Sequence, residues 1–460
     1  MNKERVLVVG GGVGGYPAAL RAARLGANVT LIEKEKIGGV CLNKGCIPTK
    51  VLLHCASLYE EFKRASIFGL ITDEVRIDYG KVSARKNAIV ARLAAGVKSL
   101  LNAKNVSMIT GTAVFRDSNR LEILETGEVL TGDKIILATG SVPAQLPVSG
   151  NNDIRLLTSD DLLTLEEPSR SLLIVGGGYI GVELGQFFGR MGVDVTIVEM
   201  LDRVVPTEDA EIGKALEASL SKEGIKILTR TTVKSIEKSG GDKKVILAAP
   251  DGVKEIVVSE VAQTIGRRPN CSGMNVERIG LRTEMGRIPV NDKMQTNVPH
   301  VYAVGDVIGG IMLAHVAMAE GECAARNAMG VPNSMSYRAV PRCVYTSPEV
   351  ACVGLTEQAA VESRGAVQIG RFPLHAVGKA ALEEQTDGMI KIVADKRHDE
   401  VLGVHIIGPH ATELIAEAVL AIEMEATVEE LAHAIHPHPT VSEGIGEAAM
   451  MLAGGAVHLP

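Results

Sequence analysis

The sequence carries no excess of positive charge: 48 Lys and Arg stand against 55 Asp and Glu, a formal net charge of −7. Nonspecific binding to nucleic acid or anionic lipid is therefore disfavoured, and neither is an expected partner. There is no uninterrupted apolar run long enough to span a bilayer. The opening MNKERVLVVGGG has the basic residues and short apolar run of a secretion signal. The run passes straight into glycines, however, with no small-residue cleavage site. This predicts a reducing cytoplasm, where seven cysteines are not expected to form structural disulfides. Only one close cysteine pair of its kind occurs, Cys41 and Cys46 within GGVCLNKGCIPTK. Such a pair points to catalysis or metal binding. Zinc pairs use shorter spacing, although His54 and Cys55 lie nearby, and no metal is expected.

What the sequence does contain is a long globular α/β composition. Its 460 residues are 46% hydrophobic and include 49 glycines, which predicts two to four domains. RVLVVGGGVGGYPAALRAARLGANVTLIEKE reads as a strand over Arg5 to Val9, a turn with Gly10, Gly12 and Gly15, a helix with Leu20, Ala23 and Leu25 on one face, and a second strand ending at Glu33. Glycines at this spacing let the backbone approach a pyrophosphate at a helix N-terminus, and the strand-end acid can hold ribose hydroxyls. The pattern returns in SLLIVGGGYIGVELGQFFGRMGVDVTIVEM, with Gly176, Gly178, Gly181 and Glu199. Two dinucleotide sites in one chain are expected, by duplication. Glu199 would accept hydrogen bonds from a free 2′-OH and repel a 2′-phosphate, so NAD is favoured over NADP; Arg203 is the nearby cation that opposes this reading.

Thr139-Gly140 after a strand, a similar arrangement at Gly266, and Gly305-Asp306 after a third strand extend the layout. Asp306 could hold a sugar-alcohol hydroxyl or cap a turn. Beyond residue 336 no glycine fingerprint appears; strands and turns alternate and residues 411–432 read as one helix, as in a separate α+β domain.

Taken with HPHPTVSEG near the C-terminus, these motifs resemble, across essentially the whole chain, the flavin-dependent pyridine nucleotide–disulfide oxidoreductases, in particular the branch that oxidises protein-bound dihydrolipoamide. The resemblance implies two Rossmann-like domains plus a C-terminal α+β dimerisation domain: an FAD domain over 1–146, an NAD domain over 147–265, an FAD-domain return over 266–336, and the dimerisation domain over 337–460. It implies FAD contacts at Gly10, Gly12, Gly15, Glu33, Lys50, Ala113, Thr139, Gly140, Asp306 and Ala314. For NAD it implies Gly176, Gly178, Tyr179, Ile180, Gly181, Glu199, Val233 and Gly266.

Cys41 would be the interchange thiol and Cys46 the thiol beside the flavin, with Lys50 sharing its helical face and Glu183 pairing with Lys50. His438 would be the base, oriented by Glu443 and supplied by the other subunit of a homodimer. In a regular helix, residues five apart have Cα atoms about 8.6 Å apart, beyond the roughly 7 Å a disulfide tolerates. A bridged Cys41–Cys46 therefore requires an irregular turn. The remaining cysteines, Cys55, Cys271, Cys323, Cys343 and Cys352, are expected to be inert buried hydrophobes.

The implied partner is a lipoyl-bearing protein of a 2-oxo-acid dehydrogenase or glycine-cleavage system. The start at the first fingerprint strand predicts no fused lipoyl domain. Val40 and Lys44 replace the family's usual Thr and small apolar residue, which bears on substrate rather than chemistry. The alternatives are another disulfide or mercuric reductase of the family, though no C-terminal cysteine pair precedes the ending GGAVHLP, and a redox-inert flavoprotein scaffold.

Overall fold

The apolar runs RVLVV and NVTLIE become adjacent parallel strands, Arg5–Val9 and Asn28–Glu33. In the computed structural model, which describes residues 3–71, 73–148 and 154–459, they lie at the centre of a five-stranded parallel sheet. Its order is Val301–Ala303, Lys134–Leu137, Arg5–Val9, Asn28–Glu33, Ser107–Thr110. Strands from three distant stretches share this sheet, so the chain leaves the first domain and returns to it.

The second fingerprint starts a four-stranded parallel sheet ordered Lys226–Leu228, Asp194–Val198, Ser171–Val175, Glu260–Gln263. The two crossings between these sheets pair with each other as a short antiparallel ladder, Ser141–Pro143 against Arg267–Pro269. The C-terminal region forms a five-stranded antiparallel sheet ordered Arg342–Val344, Glu349–Gly354, Val401–Gly408, Met389–Asp395, Val367–Pro373, with helices Ala411–Glu423 and Glu443–Ala453 packed on it. Central strand Val401–Gly408 is buried along its whole length, as a covered strand must be. The fold is thus mixed α/β, with two parallel sheets and an α+β C-terminal domain. Among the described residues, no helix is long and apolar enough to cross a membrane.

Two local expectations are corrected. The first helix, Gly15–Arg24, buries Gly15, Ala18, Ala19 and Ala22 fully; Leu20 and Ala23 pack against the core only partly buried, and Leu25 is the C-cap. A small-residue face is needed because helix Ala314–Ala328 lies against it so closely that a Cβ on Gly321 would sit 2.2 Å from the Gly14 carbonyl oxygen. The helix expected over 411–432 is two helices, Ala411–Glu423 and Val428–His433. Glu425 adopts a left-handed φ of 55°, and Thr427 and Glu430 form a reciprocal capping box that starts the second helix afresh.

Candidate redox site

Both fingerprints are built alike down to single atoms. In the first, Gly10 has a φ of +102°, and a Cβ there would lie 2.2 Å from the Ala138 carbonyl oxygen. In the second, Gly176 has a φ of +111°, and its Cβ would meet the Thr264 carbonyl oxygen at 2.6 Å. Only glycine satisfies both conditions. The Glu33 carboxylate accepts the N–H of Gly11 at 2.6 Å and of Glu35 at 2.7 Å. Glu199 accepts the N–H of Gly177 at 2.7 Å and of Leu201 at 2.8 Å. Each strand-end acid therefore ties its glycine turn.

One cavity of about 1540 Å³ is lined by residues of both fingerprints. A single small ligand needs roughly 300–1,000 Å³, so the space suits two dinucleotides. Gly10, Gly12, Glu33, Lys50, Ala113, Thr139, Gly140, Asp306 and Ala314 lie on its wall. So do Gly176, Gly178, Tyr179, Ile180, Glu199, Val233 and Gly266. Gly140 has no atom within 4 Å of where a Cβ would stand, which leaves room for a ligand against bare backbone. Gly15 and Gly181 are not on the wall. They serve helix–strand packing, since a Cβ on either would fall 1.8 or 1.9 Å from the carbonyl oxygen of Gly10 or Gly176. Asp306 accepts the Ser141 hydroxyl, which in turn accepts Arg267 Nε–H at 2.7 Å.

Cys41 and Cys46 face the same cavity. They belong to two helices, Gly39–Lys44 and Cys46–Lys63, broken at Gly45 with φ −148° and ψ −110°. This break is the irregular turn their spacing requires, and across it the two thiols act on each other's ionisation. The neighbouring Cys41 thiol lowers Cys46 to about 7 and, with Lys50 nearby, outweighs the opposing effect of burial; Cys41 itself is pushed up by Cys46 and by burial. Lys50 Nζ donates to both Glu183 oxygens, at 3.0 and 2.7 Å, and lies 4.4 Å from the centre of the Tyr345 ring. Glu183 is buried, and its carboxylate also accepts the Tyr345 N–H at 2.8 Å. Cys323 and Cys352 are buried, but Cys55, Cys271 and Cys343 are only partly so. Cys343 lines the cavity; burial pushes its thiol up to about 12, so it stays protonated near neutrality. Among the described residues, no three His, Cys, Asp or Glu side chains are arranged to hold a metal.

His438 and Glu443 are not on the cavity wall. They form their own pair at the C-terminal domain surface: His438 Nδ1 lies 2.8 Å from Glu443 Oε1, and the Thr440 N–H donates to Glu443 Oε2 at 2.9 Å. Burial opposes ionisation of Glu443, but the Thr440 N–H and His438 outweigh it and hold the carboxyl low. Sequence reasoning missed three groups. Tyr345 over Lys50 had no local signal. Neither did Glu417, which pairs with His436 at 2.9 Å, nor Glu208, which is fully buried and accepts the Tyr179 hydroxyl.

Arg203, the cation that opposed an NAD preference, has partners of its own: it donates to Asp202 at 2.9 Å and to the Pro206 carbonyl at 3.2 Å. Replacing Glu199 with Ala should narrow the preference for NAD over NADP by about 1–3 kcal/mol. The ratio of kcat/KM for the two cofactors measures this, and equal wild-type values would sink the assignment.

Comparison with known proteins agrees with this architecture. Residues 4–321 match the pyridine nucleotide-disulphide oxidoreductase model, and residues 340–449 match the dimerisation domain of the same family. The dihydrolipoyl dehydrogenase of Bacillus subtilis (strain 168) is 44% identical over 468 residues, covering 98% of each chain. That of Thermus scotoductus is 43% identical over 100% of this chain and 99% of its own. The crystal structure of LpdA from Mycobacterium tuberculosis superposes with a TM-score of 0.89 at 30% identity, covering 98% of this chain and 99% of that one. With both segments matched in order, this chain belongs to the pyridine nucleotide-disulphide oxidoreductases, enzymes that work with FAD and NAD.

Proposed function

We propose that the enzyme oxidises dihydrolipoamide carried on a partner protein and delivers the electrons to NAD⁺. The observation that carries this reading is the Cys41–Cys46 pair on the wall of a cavity lined by both dinucleotide turns, with Lys50 behind Cys46. In the oxidised enzyme the two thiols form a disulfide. His438 of the partner subunit, oriented by Glu443, removes a proton from one substrate thiol. The thiolate attacks Cys41 Sγ, the Cys41–Cys46 bond breaks, and Cys46 leaves as a thiolate stabilised by Lys50. The second substrate thiol then attacks its own sulfur in the mixed disulfide. Lipoamide is released, Cys41 takes the proton held on His438, and the proton of the second substrate thiol passes to the imidazole so vacated. One disulfide has formed and one has been reduced. FAD, when bound, supplies the acceptor for this electron pair and the hydride for NAD⁺; Gly10, Gly12, Glu33, Thr139, Gly140 and Asp306 would hold it.

The division of the chain at 146, 265 and 336 is part of this reading, supported by the sheet membership of the flanking strands. So are a homodimer with two shared sites, a lipoyl-bearing partner protein, and a cytoplasmic location. An anaerobic assay of the flavin-loaded protein tests the whole. Dihydrolipoamide with NAD⁺ should support turnover at least about tenfold above oxidised glutathione or mercuric ion with NADH or NADPH. Preference for either of those acceptors would make this a different reductase of the family. A flavin-bearing protein inert to all three would be a scaffold.

A further inference from the structure

The second fingerprint opens its helix, Tyr179–Arg190, on a tyrosine. The Tyr179 hydroxyl donates to Glu208, whose side chain is fully buried. Arg342 Nε–H reaches both oxygens of that carboxylate at 3.1 Å, and the Thr207 hydroxyl donates to it at 3.1 Å. Thr207 also stands 3.3 Å from the phenol. Burial and the neighbouring carboxylate push the Tyr179 phenol up, so it stays a donor near neutrality. These groups come from three stretches of chain: the start of the helix, the loop before helix Ala210–Lys222, and the edge strand Arg342–Val344 of the C-terminal sheet. Docking of that loop on that sheet has a second tie. Asp209, next to Glu208, accepts Lys391 Nζ at 2.9 Å and the Glu357 N–H at 3.1 Å. What Glu208 adds is a fixed phenol.

Tyr179 is on the cavity wall, and Glu183, one turn further along the same helix face, holds Lys50. A dinucleotide with its pyrophosphate at the Gly176–Gly181 turn and a ribose at Glu199 must send its reactive end along this face toward Lys50 and Cys46. The cavity is continuous past Tyr179, from Gly176 to Lys50 and Cys46, with the phenol held by Glu208. We infer that Glu208 is a positioning residue that pins the Tyr179 ring to the wall and so keeps the nicotinamide half of the NAD site open. The inference rests on the second fingerprint being the NAD site. An unpinned ring has side-chain freedom to lose when the dinucleotide binds, and it can turn into the space the nicotinamide needs. A pinned ring is already ordered. Arg342 fixes the carboxylate in its turn, since a buried carboxylate left without a cation would be costly.

The test sets NAD⁺ kinetics beside direct NADH binding in the flavin-loaded dimer. Tyr179→Phe removes the hydroxyl alone and leaves the buried pair in place. Glu208→Leu combined with Arg342→Met removes the pair together, so that neither charge is stranded in the interior. Each variant should raise the KM for NAD⁺ and the Kd of NADH, read from NADH fluorescence, by about three- to tenfold, the range of one net hydrogen bond. The kcat/KM for dihydrolipoamide should stay within about twofold, because the thiol pair and the His438–Glu443 pair are untouched. Combining all three substitutions should add less than about a further twofold, since Glu208 acts through the one phenol. An unmoved or lowered KM for NAD⁺ in Tyr179→Phe overturns the proposal, as do effects that multiply across the two sites. Loss of bound flavin with both KM values raised would make the pair a structural tie, and overturns it as well. Wild-type protein that fails to bind NADH would instead remove the nucleotide assignment on which the inference rests.

Discussion

Replacing Cys46 with Ser should lower dihydrolipoamide turnover by more than about 10⁴-fold, because no other group on the cavity wall can carry the electron pair between substrate and cofactor. Cys343 lines the same cavity but is held protonated by burial and cannot substitute. NADH-driven dye reduction should persist, which separates loss of the thiol relay from loss of the nucleotide sites. The same residue has a pH signature. In the reduced protein Cys46 is thiolate above about 7, so its alkylation rate should rise through that pH and level off on the alkaline side. Lys50→Met removes a neighbouring cation and should move the midpoint upward by about one unit. It also leaves the buried Glu183 carboxylate with the Tyr345 N–H but no cation. The double variant Lys50→Met with Glu183→Gln should recover stability without recovering the low midpoint. A midpoint that stays near 7 without Lys50 would assign the effect to the neighbouring Cys41 thiol alone.

His438→Ala should cut dihydrolipoamide turnover by about 10²–10⁴, the range of a lost general base. His436→Ala should cost far less in catalysis, since its ring is committed to Glu417 beneath the surface; the Glu417 hydrogen bond outweighs burial and raises its pKa. The cross-subunit assignment has its own result. A Cys41→Ser chain and a His438→Ala chain should each form a nearly inactive homodimer. In the mixed dimer, one site inherits both lesions and the other neither, so activity should return to about half of wild type per dimer. If subunit exchange is demonstrated and no activity returns, base and thiols belong to one chain. Within a single chain the thiols are on the cavity wall and the His438–Glu443 pair is not, which is the separation expected of a site completed by a second copy.

The sequence alone determined whatever depends on short spacing. Gly10, Gly12 and Glu33, repeated as Gly176, Gly178 and Glu199, were legible because a strand, a tight turn and a helix act within about thirty residues and leave a periodic trace. His438 and Glu443 were legible for the same reason, since a turn and the first residue of a helix set their separation. The requirement for a break between Cys41 and Cys46 followed from helix dimensions, and Gly45 supplies it. Only the tertiary structure decided the pairs that cross the chain. Lys50 and Glu183 are 133 residues apart, and an isolated Glu on an amphipathic helix reads as a solvated carboxylate until the two domains close over it. Glu417 under His436 and Tyr345 over Lys50 likewise leave no local pattern. Leu20 and Ala23 of the first helix were legible as core-facing, but its fully buried alanine face was not, because close approach of another helix selects small side chains rather than large apolar ones. Periodicity reports which face of an element is apolar; which partner meets that face, and at what distance, is fixed by topology.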